Sequence, residues 1–223
     1  RIMVDVTQLD LFEQIVYYFQ QNGMYLLSQF FRQLLMTSYG VVFAIIVAVP
    51  LGFFIAHKRK TSSFILGLAN IIQTVPNLAL LSVVMLVMGL GPNLVVFTIF
   101  LYSILPILRN TYTGVITVDD TMVNVGKGMG MTPWQVIYKV ELPLALSVIM
   151  GGIRNAFITG IGISTIGTFV GAGGLGDVLQ RGVNASDGTS IIIAAVIPIS
   201  LMAILADWLL GLIEKRLDPS STK

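Results

Sequence analysis

The sequence has 223 residues, with 13 lysines and arginines against 11 aspartates and glutamates, so charged side chains make up 11% of a chain that is 55% hydrophobic. A soluble domain carries roughly 25% charged residues, and this chain cannot furnish a wetted exterior. Cysteine is absent, His57 is the single histidine and the net charge is +2; disulfides, thiolate metal sites, cysteine nucleophiles, histidine metal clusters and nucleic-acid binding are thereby excluded.

The pattern is that of an all-α membrane protein with five transmembrane helices. Residues 1–33 form an external or interfacial N-terminal segment. Within it, residues 10–22 read as a short amphipathic helix on the outer leaflet: Leu11, Ile15 and Phe19 recur at four-residue spacing, Tyr17 and Tyr18 favour the interface, and Gly23 is the stop. The first thirty residues lack a basic start followed by an apolar core and a small-residue cleavage site, so no signal peptide is expected. A single transmembrane domain then covers residues 34–217.

Crossing the hydrocarbon takes about 20 helical residues. Residues 34–56 carry no charge and end at His57-Lys58-Arg59-Lys60. Residues 61–108 are again uncharged, too long for one span, and divide into two at Gly89-Leu90-Gly91-Pro92-Asn93. Residues 109–141 are polar and should lie in water. Residues 142–176, with Arg154 as their only charge, and 189–213, with Asp207 as theirs, supply the fourth and fifth spans. Residues 218–223 are the tail. With Lys58, Arg59 and Lys60 inside, the cytoplasmic segments hold nine of the 13 basic residues, which places the N-terminus outside and the C-terminus in the cytoplasm.

The 109–141 loop, between spans three and four, is too long for a mere connector. Asp119-Asp120 suit a helix N-terminus, and Gly128 and Gly130 bracket Met129 and break that helix. Thr132-Pro133-Trp134-Gln135 has the form of a capping box with proline at the first helical position, so a second helix starts at Thr132 and runs to about Glu141, before Pro143 opens the next span. Met122, Val125, Met129, Met131 and Trp134 are left to face a partner or the inner leaflet.

Asn124-Val125-Gly126, then Gly130, then Val140-Glu141-Leu142-Pro143 resembles the coupling motif of bacterial ABC-importer permeases, E-A-A, a glycine, and I-x-L-P after a fixed interval. In that family the loop docks short helices into a groove on the ATP-hydrolysing subunit, which implies ATPase-coupling roles for Asn124, Val125, Gly126, Gly130, Met131, Trp134, Leu142 and Pro143. The chain departs from the pattern where Asn124 replaces the glutamate and Val125-Gly126 replace the alanines. Ile72-Gln73-Thr74-Val75-Pro76, residues 106–114 and Thr168-Phe169-Val170-Gly171-Ala172-Gly173-Gly174-Leu175-Gly176-Asp177 look like the osmoprotectant branch, importers of glycine betaine, carnitine and choline. The resemblance spans residues 13–217. It implies a permease that is not itself an enzyme and holds no cofactor, with ATP and Mg bound by a separate ATPase carrying CBS domains. It also implies a second, different permease and an extracytoplasmic solute-binding lipoprotein as partners, all in the bacterial plasma membrane.

A cation inside a span costs about 2.5–3.5 kcal/mol, so Arg154 either lines a path or gate with a polar partner, or snorkels. Gln73, Pro76, Asn77, Arg154 and Asn155 are the candidates for the translocation path or gate, and Gln73, Asn77, Asn110 and Asn155 are suited to bonding between helices. Asp207 reads as a residue near the cytoplasmic helix end. The glycine-rich run 171–176 lacks the Lys-Ser/Thr of a phosphate loop and reads as a flexible outer or re-entrant connection. His57 has no carboxylate near it in sequence, and no nucleophile–base–acid set is visible. Two other functions compete: an ABC permease for an amino acid such as methionine, and a carrier without ATP coupling. The inverted repeats and buried carboxylates of ion-coupled carriers do not appear.

Overall fold

The computed structural model describes residues 10–186 and 188–218, and every regular element among them is helical. Helix α1 runs from Leu11 to His57 without interruption. At 1.5 Å per residue it is about 70 Å long, more than twice a hydrocarbon core. Gly23 therefore does not end a separate interfacial helix: it is an interior residue whose missing side chain faces open space, and the amphipathic segment simply continues into the first span. Asp10 and Glu13 form the capping box that starts it.

Helices α2 (Arg59–Thr74) and α3 (Asn77–Met88) meet at 97°. Proline explains the break, because Val75 before it is pushed to an extended conformation and Pro76 has no N–H to continue the ladder. The expected second span is thus a bent pair. The expected break at residues 89–93 is present, and α4 (Pro92–Ile116) starts there. It also outruns its expected end, carrying Arg109 and Asn110 in helix, so the polar loop begins at Thr117.

Helix α5 (Asp120–Gly128) and the short α6 (Pro133–Val136) follow. A π-turn, Ile137–Glu141, then leads without a gap into α7 (Leu142–Ile166). The expected bounds are present, with the loop helix ending at Glu141 and Pro143 in the first turn of α7, but no gap separates the two. Instead Pro143, which cannot donate to the carbonyl four residues back, is absorbed by widening the turn: the Leu142 N–H reaches Ile137 O, five residues back. A 3₁₀ turn (Gly167–Val170), α8 (Leu175–Asn184) and α9 (Thr189–Arg216) complete the chain. Among the described residues, four helical stretches are long and apolar enough to cross a membrane, five if the bent pair counts as one span.

The core is built on α1, α4 and α7, through Val41, Ala44, Ile99, Ile107, Ala156 and Ile163. Glycine lets these helices approach closely. A Cβ on Gly40 would stand 2.5 Å from Ile99 Cγ2, and one on Gly152 would stand 2.7 Å from Pro106 O. By contrast α2 buries only Ser62 and Ala69, and α3 only Leu81 and Val84. At one end Phe53, Ala56, Val115, Ala145 and Ile149 pack together. At the other, Gly91 donates to Val170 O at 2.9 Å, and Leu26, Ile161, Leu175 and Val178 close a second cluster with α9.

Candidate functional site

The loop after α4 folds as helix, corner, helix. Asp119 Oδ1 accepts from the Thr121 N–H at 2.8 Å and caps α5. The same bond, with one from the Thr121 side chain, holds the Asp119 carboxyl below the usual carboxylate range. At the corner Gly130 has φ of +80°, a conformation that glycine adopts without the Cβ penalty. Its N–H donates to Lys127 O at 2.9 Å, and the Met131 N–H donates to Gly126 O at 3.2 Å, so the end of α5 is sealed by backbone alone. Gly126 is buried because Met131, Val136 and Val140 pack over it. The second helix starts on the expected box: the Thr132 N–H donates to Gln135 Oε1 at 2.8 Å, and the Gln135 N–H donates to Thr132 Oγ1 at 3.4 Å.

This frame presents an apolar knob. Trp134 is 79% and Met129 74% exposed, with Met122, Val125 and Tyr138 exposed beside them. Asn124 and Pro143 are exposed, whereas Met131 and Leu142 are half-buried. Trp134 and Leu142 also meet at an apolar groove with Phe53 and Phe54 of α1. The expected coupling residues thus divide into an outward group and an inward group that supports the corner.

The path candidates do not form one cluster. Gln73 Nε2 donates to Tyr102 O at 3.0 Å. That carbonyl is available because Pro106, four residues on, has no N–H to offer it. The Tyr102 hydroxyl in turn donates to Val75 O at the break, so two irregular backbone sites, one on each helix, satisfy each other. Non-helical backbone at membrane depth is tolerated where protein or water covers it. Pro76 is exposed and Asn77 half-buried beside this clamp.

Arg154 lies elsewhere, between α7 and α9. Its Nε and Nη2 donate to Asp207 Oδ1 and Oδ2 at 2.6 and 2.8 Å, and its Nη1 donates to Glu214 Oε2 at 3.1 Å. Asp207 is therefore the partner of the Arg154 cation rather than a bystander, in the fork geometry that suits guanidinium and carboxylate. Gly211, one turn beyond Asp207, leaves room for the guanidinium: a Cβ there would stand 3.1 Å from Nη1. Asn155 is exposed and accepts only from Thr159 on its own helix, and Asn110 bonds within α4 to Pro106 O, so neither links helices.

Three features escaped the sequence. Gln33, fully buried, donates to Thr165 Oγ1 at 2.8 Å and accepts from the Leu175 N–H at 2.9 Å, while Gln29 accepts from the Gly174 N–H at 2.8 Å. The glycine-rich run is therefore pinned to α1 rather than loose. Glu214 completes the Arg154 triad. Glu141 stands 3.2 Å from His57, across 84 residues of sequence. In each case a polar residue in a helix finds its partner only once two spans are aligned, a pairing with no local periodicity to reveal it.

A helical membrane domain with a two-helix knob between its spans is a build shared by transporter permease subunits. Residues 40–219 match the model of the family described as "binding-protein-dependent transport system inner membrane component", and the chain belongs to that family. It is 56% identical over 215 residues to the carnitine transport permease protein OpuCD of Listeria monocytogenes, covering 96% of each chain. It is 53% identical to the choline transport system permease protein OpuBD of Bacillus subtilis, covering 96% of this chain and 95% of that one. Among solved structures, an inward-facing MetNI methionine ABC transporter superposes with a TM-score of 0.77 at 20% identity, covering 86% of this chain and 95% of that one; this likeness is one of fold. The chain is a multi-pass membrane transport component and not an enzyme.

Proposed function

We propose that the chain is one permease half of an ATP-driven importer of compatible solutes, with carnitine, glycine betaine and choline as the solute class. The observation that carries this reading is the identity of 53–56% across nearly the whole chain to permeases named for those solutes. The methionine alternative rests on a fold likeness at 20% identity and is not favoured. The loop 117–141 is the element that docks on an ATP-hydrolysing subunit, with Trp134 and Met129 as central anchors, on the cytoplasmic side assigned by the excess of lysine and arginine. That subunit binds ATP and Mg, and CBS domains on it are part of the proposal.

Solute passes between this chain and a second permease. A 39% identical relative in Listeria monocytogenes, the carnitine transport permease protein OpuCB, supports a pair of different permeases. An extracytoplasmic binding lipoprotein delivers the solute. Gln73, Pro76 and Asn77 at the broken span border the path. Arg154 is occupied by two carboxylates, so its role is to hold α7 to α9 at a gate rather than to touch the solute, with Asn155 beside it. The test is uptake by the purified complex in vesicles, with each radiolabelled solute offered in turn. ATP-dependent, saturable uptake of at least one of the three solutes and none of methionine is expected; uptake of methionine alone would refute the proposal.

A further inference from the structure

His57 ends α1, and its ring stands between two oxygens. Nδ1 lies 2.8 Å from the carbonyl oxygen of Phe53. A carbonyl only accepts, so Nδ1 carries a proton whatever the charge of the ring. Nε2 lies 3.2 Å from Glu141 Oε1. In a neutral ring with its proton on Nδ1, Nε2 is a bare acceptor, and an ionised carboxylate opposite it sets two lone pairs face to face. A proton between them removes the conflict, either as imidazolium against carboxylate or as a carboxylic acid donating to imidazole.

Glu141 makes that proton matter. Its side chain is 7% exposed, and Oε2 has no hydrogen-bond partner. Without the shared proton it is a buried, uncompensated charge, which proteins tolerate poorly. Its position matters too. Glu141 closes the π-turn at the root of the 117–141 loop, and His57 is the last residue before the Lys58 elbow between α1 and α2. A cavity of about 490 Å³ opens beside the pair, bringing Arg59 from α2 and Asp120 and Lys127 from α5 to its walls. Lys58 follows on the elbow, Tyr112 of α4 packs in the apolar cluster under the joint, and Tyr138 and Lys139 lie on the π-turn itself.

We propose that His57 and Glu141 form a proton-binding site, in which one shared proton clamps the root of the loop to the α1–α2 elbow. Losing the proton slackens the joint through which ATP hydrolysis moves the spans. Imidazole is the side chain that changes charge between pH 5 and 8, so the clamp responds to cytoplasmic pH, tight when acidic and slack when alkaline. The mechanical consequence rests on reading the loop as the ATPase dock; the proton site does not.

Two measurements test this. In vesicles holding the complete importer, solute moved per ATP hydrolysed is followed as pH on the ATPase side rises from about 6 to about 8, the range in which imidazole titrates. The wild-type ratio should fall by about threefold or more, since one linked proton shifts an equilibrium by up to tenfold per pH unit. Glu141→Gln donates an amide hydrogen to Nε2 without any added proton, so its ratio should stay flat at the acidic wild-type value. A flat wild-type ratio in an active complex, or identical profiles for the two proteins, overturns the clamp. Absence of uptake at every pH counts instead against the importer reading. In the full permease chain labelled with ¹⁵N-histidine, which gives one imidazole, the neutral ring should carry its proton on Nδ1. A proton on Nε2 overturns the site itself, with no reference to any ATPase.

Discussion

Two glycine corners reverse the chain, one in the 117–141 loop at Gly130 and one at residues 171–176 between α7 and α8. Both use left-handed backbone, with φ of +80° at Gly130 and +71°, +74° and +89° at Gly171, Gly173 and Gly174. Their surroundings are opposite. A Cβ on Gly130 would meet nothing within 4 Å, as would one on Gly171, but one on Gly173 would stand 3.1 Å from Arg32 Cζ and one on Gly176, at the start of α8, 2.0 Å from Thr165 O. The 171–176 corner is held to α1 by Gln29 and Gln33; the Gly130 corner is held by its own backbone and by Met131 packed over Gly126, and it leaves Met129 and Trp134 exposed. Glycine thus serves packing at one corner and presentation at the other. The first is complete within this chain, while the second leaves its apolar side chains uncovered, as the proposed dock requires.

The sharpest break in this comparison is Gly176→Ala. The obstacle is backbone, which has no rotamer to yield, so the helix start must move off α7 and take the Gln33 bonds with it. A loss of about 4 kcal/mol or more is expected, seen as little monodisperse protein on size-exclusion chromatography in detergent. Recovery equal to wild type would show that the corner is not tightly packed. Gly130→Asp should do the reverse. Aspartate is strained at φ of +80° but is one of the few side chains that visit left-handed backbone at all, and the space is open, so the protein should lose some stability yet still fold, insert and pair. A buried charge at the dock should instead cut solute uptake by about tenfold or more, the scale set by losing a hot-spot contact. The readout is uptake and solute-stimulated ATPase activity in the same vesicles, and wild-type values in both would remove the loop's coupling role.

Much of this contrast is legible in the sequence. The Thr132–Gln135 box, the stop at Gly128–Gly130 and the break at residues 89–93 are local signals, set by caps and backbone conformations that depend on few neighbours. The misreadings share a different origin. Gly23 was a plausible helix stop, but an isolated glycine costs a helix only about 1 kcal/mol, less than the packing of Tyr25 and Leu26 against the α8–α9 end provides. Pro143 does stand in the first turn of α7, but a π-turn joins that helix to the loop without the expected gap. Pro76 bends the second span because Tyr102 is positioned to satisfy the freed backbone. The pairings of Arg154 with Asp207 and Glu214, and of His57 with Glu141, arise only from helix alignment, so the sequence showed the expensive residues without their partners.

The smallest expected effect sharpens the comparison most finely. Asn124 occupies the position where the resembled motif has glutamate, and it is exposed on α5, one residue from the exposed Val125. If the dock is apolar at heart, as Met129 and Trp134 suggest by their exposure, a neutral amide at its edge contributes little. Most residues of an interface are energetically near-neutral beside a few anchors. Helix propensity slightly favours alanine over asparagine inside α5, so Asn124→Ala should leave stability within about 0.5 kcal/mol of wild type and lower uptake by less than about twofold. Trp134→Ala, in the same vesicle assay, should cost far more, because it removes the largest exposed side chain of the knob. If Asn124→Ala abolished uptake while Trp134→Ala did not, the edge rather than the apolar centre would carry the contact, and the division between a packing corner and a presenting corner would have to be redrawn around the polar face of α5.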